Sequence, residues 1–131
     1  MEKIGIIGSG TWGTAIAVLL VNNGHEVTLW SAIPAEIEEM AKTRTHKNLP
    51  GVTLPEGIIY TADLEEAMKD KNLLVMAVPS VFVRSTAQKM KPFCKEGQLI
   101  VDVAKGIEEN TLDTMTQIIK EELPMAETAV L

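Results

Sequence analysis

Apolar positions along this chain come in two rhythms. Short runs at Ile4-Gly5-Ile6-Ile7, Val27-Thr28-Leu29-Trp30, Leu73 to Val78 and Leu99 to Val103 read as strands. The last two are apolar at almost every position, the pattern of strands covered on both faces. Ile58-Ile59-Tyr60 is a shorter strand, and Glu127 to Leu131 begins one more. Between them the spacing turns helical. Thr11 to Asn23 puts Ala15, Ile16, Leu19 and Leu20 on one face. Ala35 to Lys42 follows a Pro34 suited to a first helical turn. Val81 to Met90 and Thr111 to Leu123 complete the longer helices, the second with a stripe of Leu112, Met115, Ile118 and Ile119.

Local punctuation supports these boundaries. Gly24 is placed as a C′ residue. Asp63 with Glu66 resembles a capping box opening a short helix through Lys69, and Ser80 and Asn110 stand as caps for the two helices after them. Pro79 ends a strand and Pro124 ends a helix. Alternating strands and helices predict an α/β fold, a Rossmann-like doubly wound, mainly parallel sheet with helices on both faces. The first strand–helix–strand unit should cross over right-handed. Because residues 1–131 close on an apolar strand, they read as one domain cut short.

The chemistry concentrates in Gly8-Ser9-Gly10-Thr11-Trp12-Gly13, between the first strand and the first helix. A G-x-G-x-x-G in that context is a dinucleotide fingerprint. Gly8 permits the turn off the strand, Gly10 lets a pyrophosphate approach the backbone, and Gly13 lets helix and strand pack closely. The helix N-terminus then favours the anion. A P-loop is excluded, because Thr14 stands where that motif needs lysine. A glycine-rich turn with no ligand is the plainer alternative.

At the end of the second strand an acidic residue would bond the adenosine ribose, and an arginine would accept a 2′-phosphate. Ser31-Ala32-Ile33 supplies neither; Ser31 can bond either form, and the missing cation tilts the reading toward NAD. The most basic stretch, Lys42 to Lys47, reads as a solvated loop, with a phosphate contact as the alternative, and His46 within it as a surface histidine. The loop from Leu49 to Gly57 is long enough to be functional or mobile. Pro79 and Ser80 stand where a sheet of this type holds ligands, and so does Lys105 in Ala104-Lys105-Gly106. Each has a plain reading too: a strand stop, a helix cap, an exposed loop lysine. No histidines or cysteines fall at metal-ligand spacing, so no metal is expected.

Composition narrows the class. A net charge of −6 argues against nucleic acid as a partner. Cys94 is the sole cysteine, which rules out an internal disulfide and suits a reducing cytoplasm. No apolar run approaches the roughly 18 residues of a membrane span, and the first strand reads as no signal peptide.

The segments IGIIGSGTWGTAIA, NNGHEVTLW, NLPGVTLPEGI, AVPS and AKGIEENT together resemble the N-terminal domain of the bacterial NAD(P)-dependent glycerol-3-phosphate dehydrogenases. The resemblance covers essentially the whole chain. It implies NAD or NADP as cofactor, held by the glycine loop with Thr11 and Trp12, and Lys105 touching both cofactor and glycerol phosphate. It also implies reversible hydride transfer between glycerol 3-phosphate and dihydroxyacetone phosphate, feeding phospholipid synthesis. By the resemblance, residues 1–131 are the N-terminal dinucleotide-binding domain, with the family's helical substrate domain and general-base lysine beyond Leu131, and a homodimer of the full-length protein is compatible with it. Two departures stand out. Thr11 replaces the family's usual serine, and Trp30-Ser31-Ala32-Ile33 lacks the arginine that many members use for NADPH. Rival readings are a 6-phosphogluconate or ketopantoate type of dehydrogenase, and a non-catalytic NAD(P)-binding redox sensor.

Overall fold

A computed structural model describes residues 1–131. In chain order the elements are β1 (Lys3–Ile7), α1 (Thr11–Asn22), β2 (Glu26–Trp30), α2 (Pro34–Thr43), β3 (Ile58–Thr61) and α3 (Leu64–Met68). Then come β4 (Leu73–Met76), α4 (Val83–Met90), β5 (Leu99–Asp102), α5 (Met115–Glu122) and β6 (Glu127–Val130). The six strands form one sheet in the order β3-β2-β1-β4-β5-β6, and every neighbouring pair is parallel. β1 therefore sits centrally between β2 and β4, with Ile6 opposite Leu29 on one side and Val75 on the other. The expected doubly wound architecture is the one observed.

Strand alternation feeds two cores. Ile7, Leu74, Met76 and Ile100 face one layer, where Met68, Val83, Met90, Ile118 and Ile119 of α3, α4 and α5 pack. Ile4, Ile6, Val27, Leu29 and Val75 face the other, against Ala17 of α1, Ile37 and Met40 of α2, and Leu54. Ile6 and Ile7 are adjacent in sequence and fully buried on opposite faces, as the two-residue period requires. Burying a side chain of that size contributes on the order of 1.5–3 kcal/mol. The helices thus hold the sheet from both sides and leave its carboxyl edge for loops.

Several boundaries differ from expectation, each for a local reason. The last helix begins at Met115, not Thr111. Thr114 caps it by accepting from the Gln117 N–H at 3.2 Å, while Thr114 N–H donates to Gln117 Oε1 at 2.7 Å. That reciprocal box outcompetes the Asn110 start. Leu112 accordingly lies outside the stripe, exposed and at φ 62°, whereas Met115, Ile118 and Ile119 are buried. Ser80 makes no side-chain cap; Ser80–Phe82 form a 3-10 turn, and α4 proper starts at Val83. Asp63 accepts from Glu65 N–H at 3.0 Å without the reciprocal Glu66 bond, and its helix ends at Met68. On α1 the buried face is Gly13, Thr14 and Ala17, and Leu19 is exposed. A helix apolar nearly all round has its buried side chosen by its smallest residues, because these permit the closest approach to the sheet. β4 and β5 stop at Met76 and Asp102, before the apolar runs do, although Ala77 N–H still donates to Ile7 O at 2.8 Å.

Candidate functional site

The carboxyl edge between β1 and β4 is where strand order reverses direction, the place where open α/β sheets hold ligands. The glycine loop leaves β1 there. Gly8 has φ 126°, and a Cβ on it would stand 2.6 Å from the Ala77 carbonyl carbon. Only glycine fits both the conformation and the space. A Cβ on Gly13 would collide with the Gly8 carbonyl oxygen, so the helix rests directly on the turn that precedes it. Gly10 is the opposite case: nothing lies within 4 Å of where its Cβ would be. It faces open space at the head of α1.

That helix head is unfinished. Gly10 is its N-cap, no side chain caps it, and its first turn holds no acidic residue. The leading N–H groups are left for an outside acceptor, and the helix dipole favours a negative one. Trp12 stands 75% exposed beside it. The site fits a dinucleotide pyrophosphate in shape, in donors and in sign of charge.

Around this cradle the remaining candidates take distinct places. Ser9 is buried; its carbonyl oxygen accepts from Thr14 Oγ1 at 3.0 Å, and its hydroxyl lies 3.4 Å from Glu36 Oε1. Ser31, at the end of β2, is buried with its hydroxyl accepting from the Ile33 N–H at 3.1 Å. It shapes the turn into α2. Pro79 follows β4 at the same edge. A Cβ on Gly106 would lie 3.6 Å from the Ser80 Cβ, so the Lys105 loop packs against the turn after β4. Lys105 itself is exposed, its ammonium 2.6 Å from the Leu131 carbonyl oxygen. The loops after β1, β4 and β5 thus meet at one edge, while the Lys105 head group lies toward the β6 side. Trp12 in the first turn of α1, and Val81 and Phe82 in the turn after β4, are exposed and give the edge an apolar margin.

Four positions in this region carry more than their sequence context suggested. His46, expected on the surface, is 6% exposed. Its Nδ1 accepts from the Asn48 N–H at 3.1 Å and its Nε2 lies 3.0 Å from Ser9 O. The first contact leaves the proton on Nε2, which donates to the glycine loop. The pull of these two bonds takes His46 out of an otherwise basic, solvated run. Arg44 leaves that run as well, donating from Nε to Leu54 O at 2.9 Å. That bond, with the buried Leu54 side chain, pins the long loop before β3.

Asp102 is buried at the end of β5, and burial pushes its carboxyl above the usual aspartate range, opposed by the Ala104 N–H at 2.8 Å, by Thr116 and by the charge of Lys105. It fixes the turn that presents Lys105. Arg84 on α4 grips Glu108 with two bonds, at 2.7 and 2.9 Å, and also reaches Glu121 and Glu122 on α5. Those bonds to Arg84 hold the Glu108 carboxyl below its usual range. The only signal for Asp102 was an acid ending an apolar run; for Arg84 and His46 the sequence offers none, because the carboxylates around Arg84 and the Ser9 carbonyl that His46 meets lie far along the chain.

No helix is long and apolar enough to cross a membrane. No group of three or more acidic, histidine or cysteine side chains is placed to hold a metal ion.

Residues 3–131 match the family model described as the N-terminus of NAD-dependent glycerol-3-phosphate dehydrogenase. A glycerol-3-phosphate dehydrogenase [NAD(P)+] from Agathobacter rectalis is 54% identical over the whole of this chain, which covers 39% of that relative. One from Lactobacillus delbrueckii subsp. bulgaricus is also 54% identical, over 94% of this chain and 36% of its own length. Among solved structures, glycerol-3-phosphate dehydrogenase from Coxiella burnetii superposes with a TM-score of 0.91 at 28% identity. That match takes in 98% of this chain and 40% of the other. The chain therefore spans about two-fifths of the length of the proteins it matches.

Proposed function

This chain belongs to the NAD-dependent glycerol-3-phosphate dehydrogenases, matching their N-terminal part, and from that premise we propose that it is the dinucleotide-binding domain of an oxidoreductase. The reaction is reversible hydride transfer between sn-glycerol 3-phosphate and dihydroxyacetone phosphate. The observation that carries the reading is the uncapped head of α1 behind Gly10, open on the side where a pyrophosphate would lie.

Each residue has a part. Gly8, Ser9, Gly10, Thr11, Trp12 and Gly13 form the cradle for NAD or NADP, Ser31 shapes the adenosine end, and Pro79 walls the crevice. The bound nicotinamide supplies or accepts the hydride. Lys105 holds cofactor and substrate phosphate, and its charge favours negative charge growing on a nearby oxygen. The proton-transferring lysine is assigned to the part of the relatives that this chain does not span. We place the protein in the cytoplasm, feeding phospholipid synthesis, with a small phosphorylated substrate and a homodimer as the assembly of the longer protein. The family match favours this reading over a 6-phosphogluconate or ketopantoate type and over a redox sensor.

The test is oxidation of NADH or NADPH on adding dihydroxyacetone phosphate, measured on a longer protein that contains this chain. Turnover that falls sharply in Lys105→Met is expected, with little or none from residues 1–131 alone. No turnover with either cofactor overturns the proposal.

A further inference from the structure

The end of β2 offers a ribose no carboxylate: the Ser31 hydroxyl accepts from the Ile33 N–H, and Ser31, Ala32 and Ile33 are uncharged. The structure brings one in from the next element. Glu36, in the first turn of α2, reaches back so that Oε1 lies 3.4 Å from the Ser9 hydroxyl, between the first two glycines of the loop. In sequence it stands roughly 20 residues past the glycine motif, where such sheets carry their ribose-binding acid. Resting on the dinucleotide reading above, we propose that Glu36 sets the cofactor preference. Its carboxylate accepts from the 2′-hydroxyl of the adenosine ribose and repels a 2′-phosphate.

The cations nearby do not reverse this. Arg44 is turned away, its Nε on Leu54 O and its guanidinium 3.7 Å from Glu56. Lys47 borders a groove of about 340 Å³, but Glu36 and Glu39 line the same groove. Two carboxylates against one ammonium leave it unfavourable to a phosphate dianion. The chain therefore selects NAD(H) without an acid at the end of β2.

Calorimetric titration of the full chain with NADH, NADPH, 5′-ADP and 2′,5′-ADP tests this, in the wild type and in Glu36→Gln. The glutamine is isosteric and can still bond Ser9, so the loop is kept. A charged hydrogen bond gained and a charge repulsion avoided together predict at least about tenfold tighter NADH than NADPH in the wild type. In Glu36→Gln the ratio should fall to about threefold or less, chiefly through stronger NADPH and 2′,5′-ADP binding. The two adenosine fragments read the ribose end alone. NADPH binding as tightly as NADH, or a ratio unchanged in Glu36→Gln, overturns the role of Glu36 and leaves the dinucleotide site standing. A folded chain that binds none of the four overturns the dinucleotide reading and this inference with it.

Discussion

His46 Nε2 lies 3.0 Å from the carbonyl oxygen of Ser9, tying the loop before β3 to the glycine loop. The pair spans 37 residues and is buried. His46→Ala removes one of two side-chain donors on that oxygen and leaves the Asn48 N–H without its acceptor. A loss of about 1–3 kcal/mol in unfolding free energy is expected, with weaker dinucleotide binding. His46→Gln should recover part of both. Denaturant melts and a binding titration on the two variants check this; an alanine variant as stable as wild type contradicts it.

Gly10 and Gly13 should respond differently to the same added methyl. At Gly13 it meets the Gly8 carbonyl, which cannot move without dismantling the turn, so Gly13→Ala should lose about 2 kcal/mol or more. At Gly10 it meets nothing, and the backbone at φ −68° accepts it. Gly10→Ala should cost about 1 kcal/mol or less, as a weaker N-cap, yet bind dinucleotide at least tenfold less well. Stability and binding measured together separate the two effects. Equal stability losses in both variants contradict the geometry.

The outline of the fold was legible because apolar runs and glycines act locally. β1, β2 and α1 follow from their own residues, and Gly8-x-Gly10-x-x-Gly13 marks the tight turn between β1 and α1 without help. What was not legible depends on distant partners. Nothing around His46 announces Ser9, nothing near Arg84 announces Glu108, and Glu36 shares its stretch with Glu38 and Glu39, with nothing in the sequence to set it apart. The Thr114–Gln117 box was visible in principle, but Asn110 offered an earlier start and Leu112 completed a false stripe. Leu112 instead adopts φ 62°, a conformation that local spacing does not reveal.

Asp102 should make the chain less stable as pH rises. Burial raises its folded-state pKa above the unfolded value, so the folded state holds the proton more tightly. Stability is then greatest below the ordinary aspartate range and falls as pH climbs through the raised value. Asp102→Asn keeps the acceptor for the Ala104 N–H and removes the buried charge. It should melt at or above the wild-type temperature at neutral pH and lack that decline. A variant less stable than wild type at neutral pH contradicts this account.

Glu108 has the opposite sign. Arg84 lowers its folded-state pKa, so its contribution is complete above the ordinary glutamate range and is lost as pH falls through the lowered value. Glu108→Gln should flatten that acid limb. Arg84→Lys gives up the two-pronged grip and should speed hydrogen exchange between Ile107 and Thr114, where the loop closes on itself. Unchanged exchange there means that Arg84 does not hold the loop carrying Lys105.

We propose that the glycine motif at the head of α1 holds a dinucleotide. Trp12 stands in the first turn of α1 within that motif and is largely exposed, while Trp30 is buried with its indole N–H on Ala62 O. Fluorescence of the chain titrated with NADH, repeated on Trp12→Phe and Gly10→Ala, reads the loop directly. A saturable change carried by Trp12 is expected, absent in Trp12→Phe and shifted to at least tenfold higher NADH in Gly10→Ala. A folded chain whose Trp12 signal does not saturate, or saturates equally in Gly10→Ala, contradicts it.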